Sequence, residues 1–156
     1  MTTIDLFSGT GSATIAFKEA GEEVIEVDVL RGIDIKDFHP PPARFVWASP
    51  PCTEYSLGRA GGKWPTYPSR YLWDQALRCI DEAKPKYWII ENVCGAQKMW
   101  GRPRFHWGPY YLWGWFPPLK GLGHCPGKDC DRIKDPAKRA MIPRALADAV
   151  YQAVTP

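Results

Sequence analysis

The sequence predicts an α/β fold, a mostly parallel sheet flanked by helices. Three observations predict it. Short apolar runs at residues 3–7, 24–28, 45–48 and 87–93 alternate with stretches of helical period, the element order that builds parallel sheets. The first run ends in Phe7-Ser8-Gly9-Thr10-Gly11 and leads into a helix, the strand, glycine turn and helix that open a nucleotide-binding unit. Residues with chemistry close the later runs: Asp28, Cys52 and Glu91. Ligands of parallel sheets bind at the strands' carboxyl ends, so Gly9, Asp28, Cys52 and Glu91 are expected to converge on one rim.

Each element has its local reason. Glycines after the first strand let a ligand approach the backbone, and the helix that follows offers unpaired amides. That helix is expected over residues 12–21, with Ser12 as cap and Gly21 as stop. Thr14 replaces the third glycine of the dinucleotide fingerprint, which argues against a nicotinamide cofactor. Val24-Ile25-Glu26-Val27-Asp28 is a second strand whose terminal carboxylate can accept from both hydroxyls of a ribose. Asp34-Ile35 offers a polar and an apolar group for an adenine ring. His39-Pro40-Pro41-Pro42 is a stiff, extended connection with an exposed histidine.

Phe45-Val46-Trp47-Ala48 is a buried strand, stopped by Ser49-Pro50-Pro51 because each proline fixes its backbone and lacks an amide donor. Cys52 follows at once. Residues 53–68 contain Gly58, Gly61, Gly62, Arg59 and Lys63 and read as a mobile basic loop. A thiol between a rigid strand exit and a cationic loop is a candidate nucleophile; the competing reading is a half-buried core cysteine. Residues 69–83 have helical rhythm, with Leu72, Ala76, Leu77, Ile80 and Ala83 on one face and Ser69 as cap. Lys84-Pro85-Lys86 breaks that helix before the strand Tyr87–Val93. Tyr110–Phe116 reads as a further strand with aromatics on both faces. Pro117–Pro136 reads as an irregular loop. Pro143 fits the start of a last helix through Val154, with Ile142, Leu146, Ala147, Val150 and Val154 inward.

Composition narrows the classes. The 156 residues suit a single domain with a real core, and 45% hydrophobic with 24% charged residues is ordinary for a globular chain. No run is long enough for a membrane span and the start is no signal peptide, so cytoplasmic expression is expected. The net charge of +3 points only weakly to a polyanion. Five cysteines, at 52, 79, 94, 125 and 130, are an odd, irregular set and read as thiols. His124, Cys125 and Cys130 supply three ligands where a structural zinc needs four, so no metal is expected.

A cysteine and an acid beside a nucleoside-type cofactor suggest covalent activation of a ring. Cytosine carbon 5 is a poor nucleophile. A thiolate added at carbon 6, with an acid serving ring nitrogen 3, makes carbon 5 enamine-like and able to attack an electrophilic methyl. At these residues the chain resembles the DNA cytosine-5 methyltransferases. Asp5-Leu6-Phe7-Ser8-Gly9-Thr10-Gly11 is similar to the family's S-adenosylmethionine motif. Pro51-Cys52-Thr53-Glu54-Tyr55-Ser56 is similar to its nucleophile motif, and Glu91-Asn92-Val93 to its base-protonating motif. The three stand in family order.

The resemblance implies a Rossmann-like S-adenosylmethionine-dependent methyltransferase fold. It implies Cys52 as nucleophile, Glu91 at nitrogen 3, and Asn92 bracing the cysteine turn. Phe7, Ser8, Gly9, Thr10, Gly11 and Pro50 would shape the cofactor pocket. Asp28 would bind the ribose, Asp34 and Ile35 would contact the adenine, and Val29 would belong to the same cofactor site. Ser56, Arg59, Lys63 and Arg102 would face DNA carrying a flipped cytosine.

The chain also departs from the family. Ser12 stands where a second glycine is usual and Thr53 where glutamine is usual. The late arginine motif is replaced at best by Arg102-Pro103-Arg104, with Arg104 the candidate for the cytosine carbonyl. The target-recognition domain is absent, and residues 117–138 occupy its place. Specificity would then be short, lax or supplied by a separate specificity subunit around a monomeric enzyme, an economy that suits a phage. Two other readings stay open: methylation of free dCMP, and a noncatalytic cofactor- or DNA-binding subunit. Amino-group methylation is disfavoured, because Cys52 stands where such enzymes place an aromatic residue.

Overall fold

The central apolar run folds as a strand with both faces covered; Phe45–Ala48 is buried at every residue, as a central parallel strand requires. The computed structural model describes residues 2–53, 55, 69–125, 135, 138 and 140–155. Its strands are β1 (Thr2–Leu6), β2 (Glu23–Val27), β3 (Phe45–Ala48), β4 (Tyr87–Asn92), β5 (Phe105–Trp107) and β6 (Tyr110–Trp115). Its helices are α1 (Ile15–Glu19), α2 (Tyr71–Ala83), α3 (Gln97–Trp100) and α4 (Arg144–Val154).

The strands form one sheet in the order β2-β1-β3-β4-β6-β5. The first four are mutually parallel; β6 runs antiparallel to both β4 and β5. This is the expected α/β Rossmann-like architecture. From β1 the chain first moves outward to β2, then returns to β1's other side as β3. The switch point between β1 and β3 is where such sheets open a crevice at their carboxyl ends. The glycine turn and the Cys52 turn leave the sheet there, side by side.

Two apolar layers hold the sheet. On one face Leu6, Val46, Ala48 and Ile90 pack with Trp73, Ala76 and Ile80 of α2. On the other Phe45, Trp47 and Ile89 pack with Phe17 of α1 and Leu146 and Val150 of α4. Phe17 stacks on Phe45 at 5.3 Å and meets Tyr151 edge-on at 5.0 Å. Arg144 ties α4 to α1 through Glu19 at 2.6 Å.

Three expectations need correction. The first helix is shorter than residues 12–21, and Ser12 does not cap it: its hydroxyl accepts from the Ile142 amide at 2.9 Å, joining the glycine turn to the start of α4. Thr14 holds the cap position, but its hydroxyl donates to Asp5. Leu77 is 37% exposed; Trp73 and Cys79 take the inward places on α2. That face is set by two residues that a count of aliphatics passes over. Ser69 stands one residue before the cap of α2, though its hydroxyl does accept from the Tyr71 amide at 3.3 Å. Residues 105–107 form a further strand, too short to show a period in the sequence. No described helix is long and apolar enough to cross a membrane.

Candidate active site

The site begins with a strained turn. Phe7 has φ 61°, a left-handed conformation held by its amide and that of Ser8 donating to the Val27 carbonyl at 2.8 and 3.2 Å. For a bulky residue this costs about 1–2 kcal/mol, and such outliers gather where a ligand is gripped. Gly9 and Gly11 follow at φ 48° and 71°. A side chain at Gly9 would meet nothing within 4 Å, so the turn is open on that side. A Cβ on Gly11 would lie 2.2 Å from a Glu26 carboxylate oxygen and 2.5 Å from Lys18 Nζ.

Glu26 is held there by Lys18 at 2.7 Å and Arg31 at 3.0 Å. Arg31 also donates Nε–H to the Ser8 hydroxyl at 3.2 Å. Gly11→Ala therefore meets both positive-φ strain and this ion-pair cluster. We expect it to cost more than about 1 kcal/mol and to weaken cofactor binding, read by thermal melting and titration calorimetry. Unchanged melting and binding would contradict the packing described.

Asp28 stands at the end of β2. Its two carboxylate oxygens accept from the Gly9 amide at 2.9 Å and the Leu30 amide at 2.8 Å. It thus ties β2 to the glycine turn and keeps lone pairs for a further donor. Val29 and Leu30 beside it are 70% and 85% exposed, an apolar shelf next to a carboxylate. Strand-end acid, open glycine turn and exposed apolar shelf fit the ribose and adenine of a nucleoside cofactor. Asp34 is held below the usual carboxylate range by the Lys36 amide and ammonium. Ile35 packs its side chain in the core, so adenine could meet little of it beyond backbone. Thr10 is exposed and Ser8 buried.

Asp5 was missed as a site residue in the sequence, although an acid in the middle of an apolar strand is itself a signal. It is 1% exposed; one oxygen accepts from the Thr14 hydroxyl at 2.7 Å, and the other is buried without a hydrogen-bond partner. Burial pushes its carboxyl up to about 7, against the lowering by Thr14's bond. The folded state therefore keeps a proton that the unfolded chain has lost. The linked stability is present below about pH 4 and lost as pH rises to about 7. The swing is on the order of 4 kcal/mol. Asp5→Asn should flatten that slope in urea unfolding measured from pH 4 to 8; an unchanged slope would show that Asp5 does not titrate there.

The second half of the site hangs on Asn92. This residue, 1% exposed, donates from Nδ2 to the Pro50 carbonyl at 3.0 Å and accepts at Oδ1 from the Val93 amide at 2.9 Å. It binds the end of β4, where Glu91 lies 7% exposed, to the turn that presents Cys52. The neighbouring strands are already in register, Ala48 opposite Ile90. Cys52 is half-buried, and its carbonyl accepts from the Tyr55 amide at 3.0 Å. A crevice beside this turn is lined by Pro50, Pro51, Thr53, Tyr55, Leu72 and Trp73.

Arg104 does not join this group. Its guanidinium donates to the Phe116 carbonyl at 3.0 Å and lies over the Trp115 ring at 5.0 Å. Trp115 faces Trp88, three residues before Glu91, about 10 Å back along the strand. Arg102 is exposed at the mouth of the outer hairpin. Ser56, Arg59, Lys63 and Cys130 lie outside the described residues.

A solved structure described as a DNA modification methyltransferase encoded within an E. coli prophage is similar to this chain, with a TM-score of 0.46 and 21% identity over 64% of the chain. The chain spans 34% of the length of that structure. No curated protein matches. A family model does: that of the C-5 cytosine-specific DNA methylases, over residues 23–102. The matched segment runs from β2 to just beyond α3 and contains Asp28, Cys52, Glu91 and Asn92, the same residues that the strand ends present along the rim. With half of its length accounted for in this way, the chain belongs to the C-5 cytosine-specific DNA methylases.

Proposed function

We propose that this methyltransferase moves a methyl group from S-adenosylmethionine to carbon 5 of cytosine in DNA, with Cys52 as the covalent nucleophile. The observation that carries the reading is the Asn92 bond to the Pro50 carbonyl, which holds the Cys52 turn against the end of the strand bearing Glu91. When bound, S-adenosylmethionine supplies an electrophilic methyl group. Phe7, Gly9 and Gly11 would shape its site. Asp28 would take its ribose and Val29 its adenine face.

The chain's own residues do the rest. Cys52 sulfur, as thiolate, forms a bond to carbon 6. Glu91 gives a hydrogen bond or proton to nitrogen 3, so the electron pair displaced from the 5,6 double bond is accommodated. Carbon 5, now enamine-like, forms its new bond to the methyl group as the methyl's bond to the sulfonium sulfur breaks, the electron pair staying on that sulfur and S-adenosylhomocysteine being the leaving group. Loss of the carbon 5 proton to solvent then restores the 5,6 double bond and expels Cys52 as thiolate, while any proton given to nitrogen 3 returns to Glu91. A duplex target must be flipped out of the stack for this.

The test is isotopic methyl transfer with duplex DNA, single-stranded DNA and dCMP as acceptors. DNA is expected to accept methyl groups at cytosine carbon 5. Transfer to dCMP alone would remove DNA from the reading, and transfer to none would leave a noncatalytic subunit.

A further inference from the structure

The outer hairpin carries a cleft bordered by Gln97, Arg102, Pro103, Arg104, His106 and Tyr111. Strand register fixes its place relative to the rim. Asn92 stands opposite Tyr111, and Tyr111 opposite His106; directly opposed residues point to one face of a sheet. A single row therefore runs from the Cys52 turn, held by Asn92, through Tyr111 to His106. Two strand spacings, about 10 Å, separate Asn92 from His106.

On this row the His106 and Tyr111 rings lie nearly parallel, 14° apart with centroids at 5.1 Å. His106 is exposed. Among the described residues no carboxylate borders the cleft and Arg102 makes no ion pair. Flat rings, a free guanidinium and no competing acid form a surface suited to a base and its phosphate.

We infer that this cleft takes the nucleotide next to the target cytosine, its base stacked on His106 backed by Tyr111 and its phosphate at Arg102. The inference rests on the DNA reading above. Stacking on an aromatic platform tolerates any base, because every base has a π face. The shelf would add affinity and hold the strand in line with Cys52 without demanding a flanking sequence.

The test compares wild type, His106→Ala and His106→Phe, using anisotropy on a labelled single-stranded oligonucleotide with one cytosine, and KM and kcat for methyl transfer to it. His106→Ala should weaken binding about tenfold and raise KM to match, with the loss falling on KM rather than kcat. His106→Phe keeps a ring and should stay within about twofold of wild type. Thermal melting of all three should coincide, since residue 106 is exposed. Wild-type affinity in His106→Ala would overturn the shelf alone. A phenylalanine variant as weak as the alanine variant would overturn stacking. A wild-type protein that binds duplex DNA but not the single strand would overturn the shelf alone, and one that binds neither would overturn the DNA reading and the shelf with it.

Discussion

Cys52→Ser should lower methyl transfer by on the order of a thousandfold or more, while binding of S-adenosylmethionine stays near the wild-type level. The substitution exchanges one heavy atom on a half-buried side chain, so packing changes little. The chemistry changes completely. A thiol reaches its anion near neutral pH and is polarizable, whereas an alcohol is a weak nucleophile that needs a dedicated base to activate it. None of the roles proposed here supplies such a base for residue 52. The cofactor contacts proposed above lie mainly on the glycine turn and Asp28, across the switch point, and the substitution leaves the backbone at Pro50 as it was. Calorimetry with S-adenosylmethionine and isotopic methyl transfer separate the two effects. A serine variant that turns over at a wild-type rate would remove Cys52 from the mechanism. One that no longer binds cofactor would place residue 52 in the cofactor site instead.

Glu91→Gln should cost about 10²- to 10⁴-fold in kcat, the usual span for a positioned acid. Glutamine keeps the shape of a side chain that is 7% exposed, and it can still donate a hydrogen bond to nitrogen 3. It cannot hand over a proton. Addition of sulfur at carbon 6 then leaves the displaced electron pair without its acceptor, and the adduct reverts. The loss should fall on kcat, with KM for DNA little moved, because a neutral amide still fits the same place. Steady-state kinetics on one oligonucleotide decide it. A kcat within about threefold of wild type would show that nitrogen 3 is served by another group.

Much of this was legible in the chain because the informative residues are local. An apolar run ended by Gly-Thr-Gly or by two prolines announces both a strand and its exit, and family resemblance attached roles to Phe7, Cys52 and Glu91. Asn92 was legible in the same way, and its bond to Pro50 gives the bracing a geometry. What escaped depends on distant pairing. Ser12 was read as a helix cap because serine before a helical stretch usually is one, yet its partner is the amide of Ile142, which no local pattern reveals. Arg104 sits in the right order for a late arginine motif, but its guanidinium is drawn to Phe116 by the β5–β6 hairpin, an element three residues deep. Asp5 was visible in the sequence as part of a motif; its burial away from water, and so its raised affinity for a proton, needed the fold.

The most direct measurement is covalent capture on DNA carrying 5-fluorocytosine in the presence of S-adenosylmethionine. After methyl transfer the fluorine cannot leave as a proton does, so elimination stops and the enzyme stays attached through sulfur. Denaturing gels followed by peptide mass mapping should show one adduct, at Cys52, absent from Cys52→Ser. An adduct at Cys79, Cys94, Cys125 or Cys130, or no adduct on either duplex or single-stranded DNA, would contradict the account.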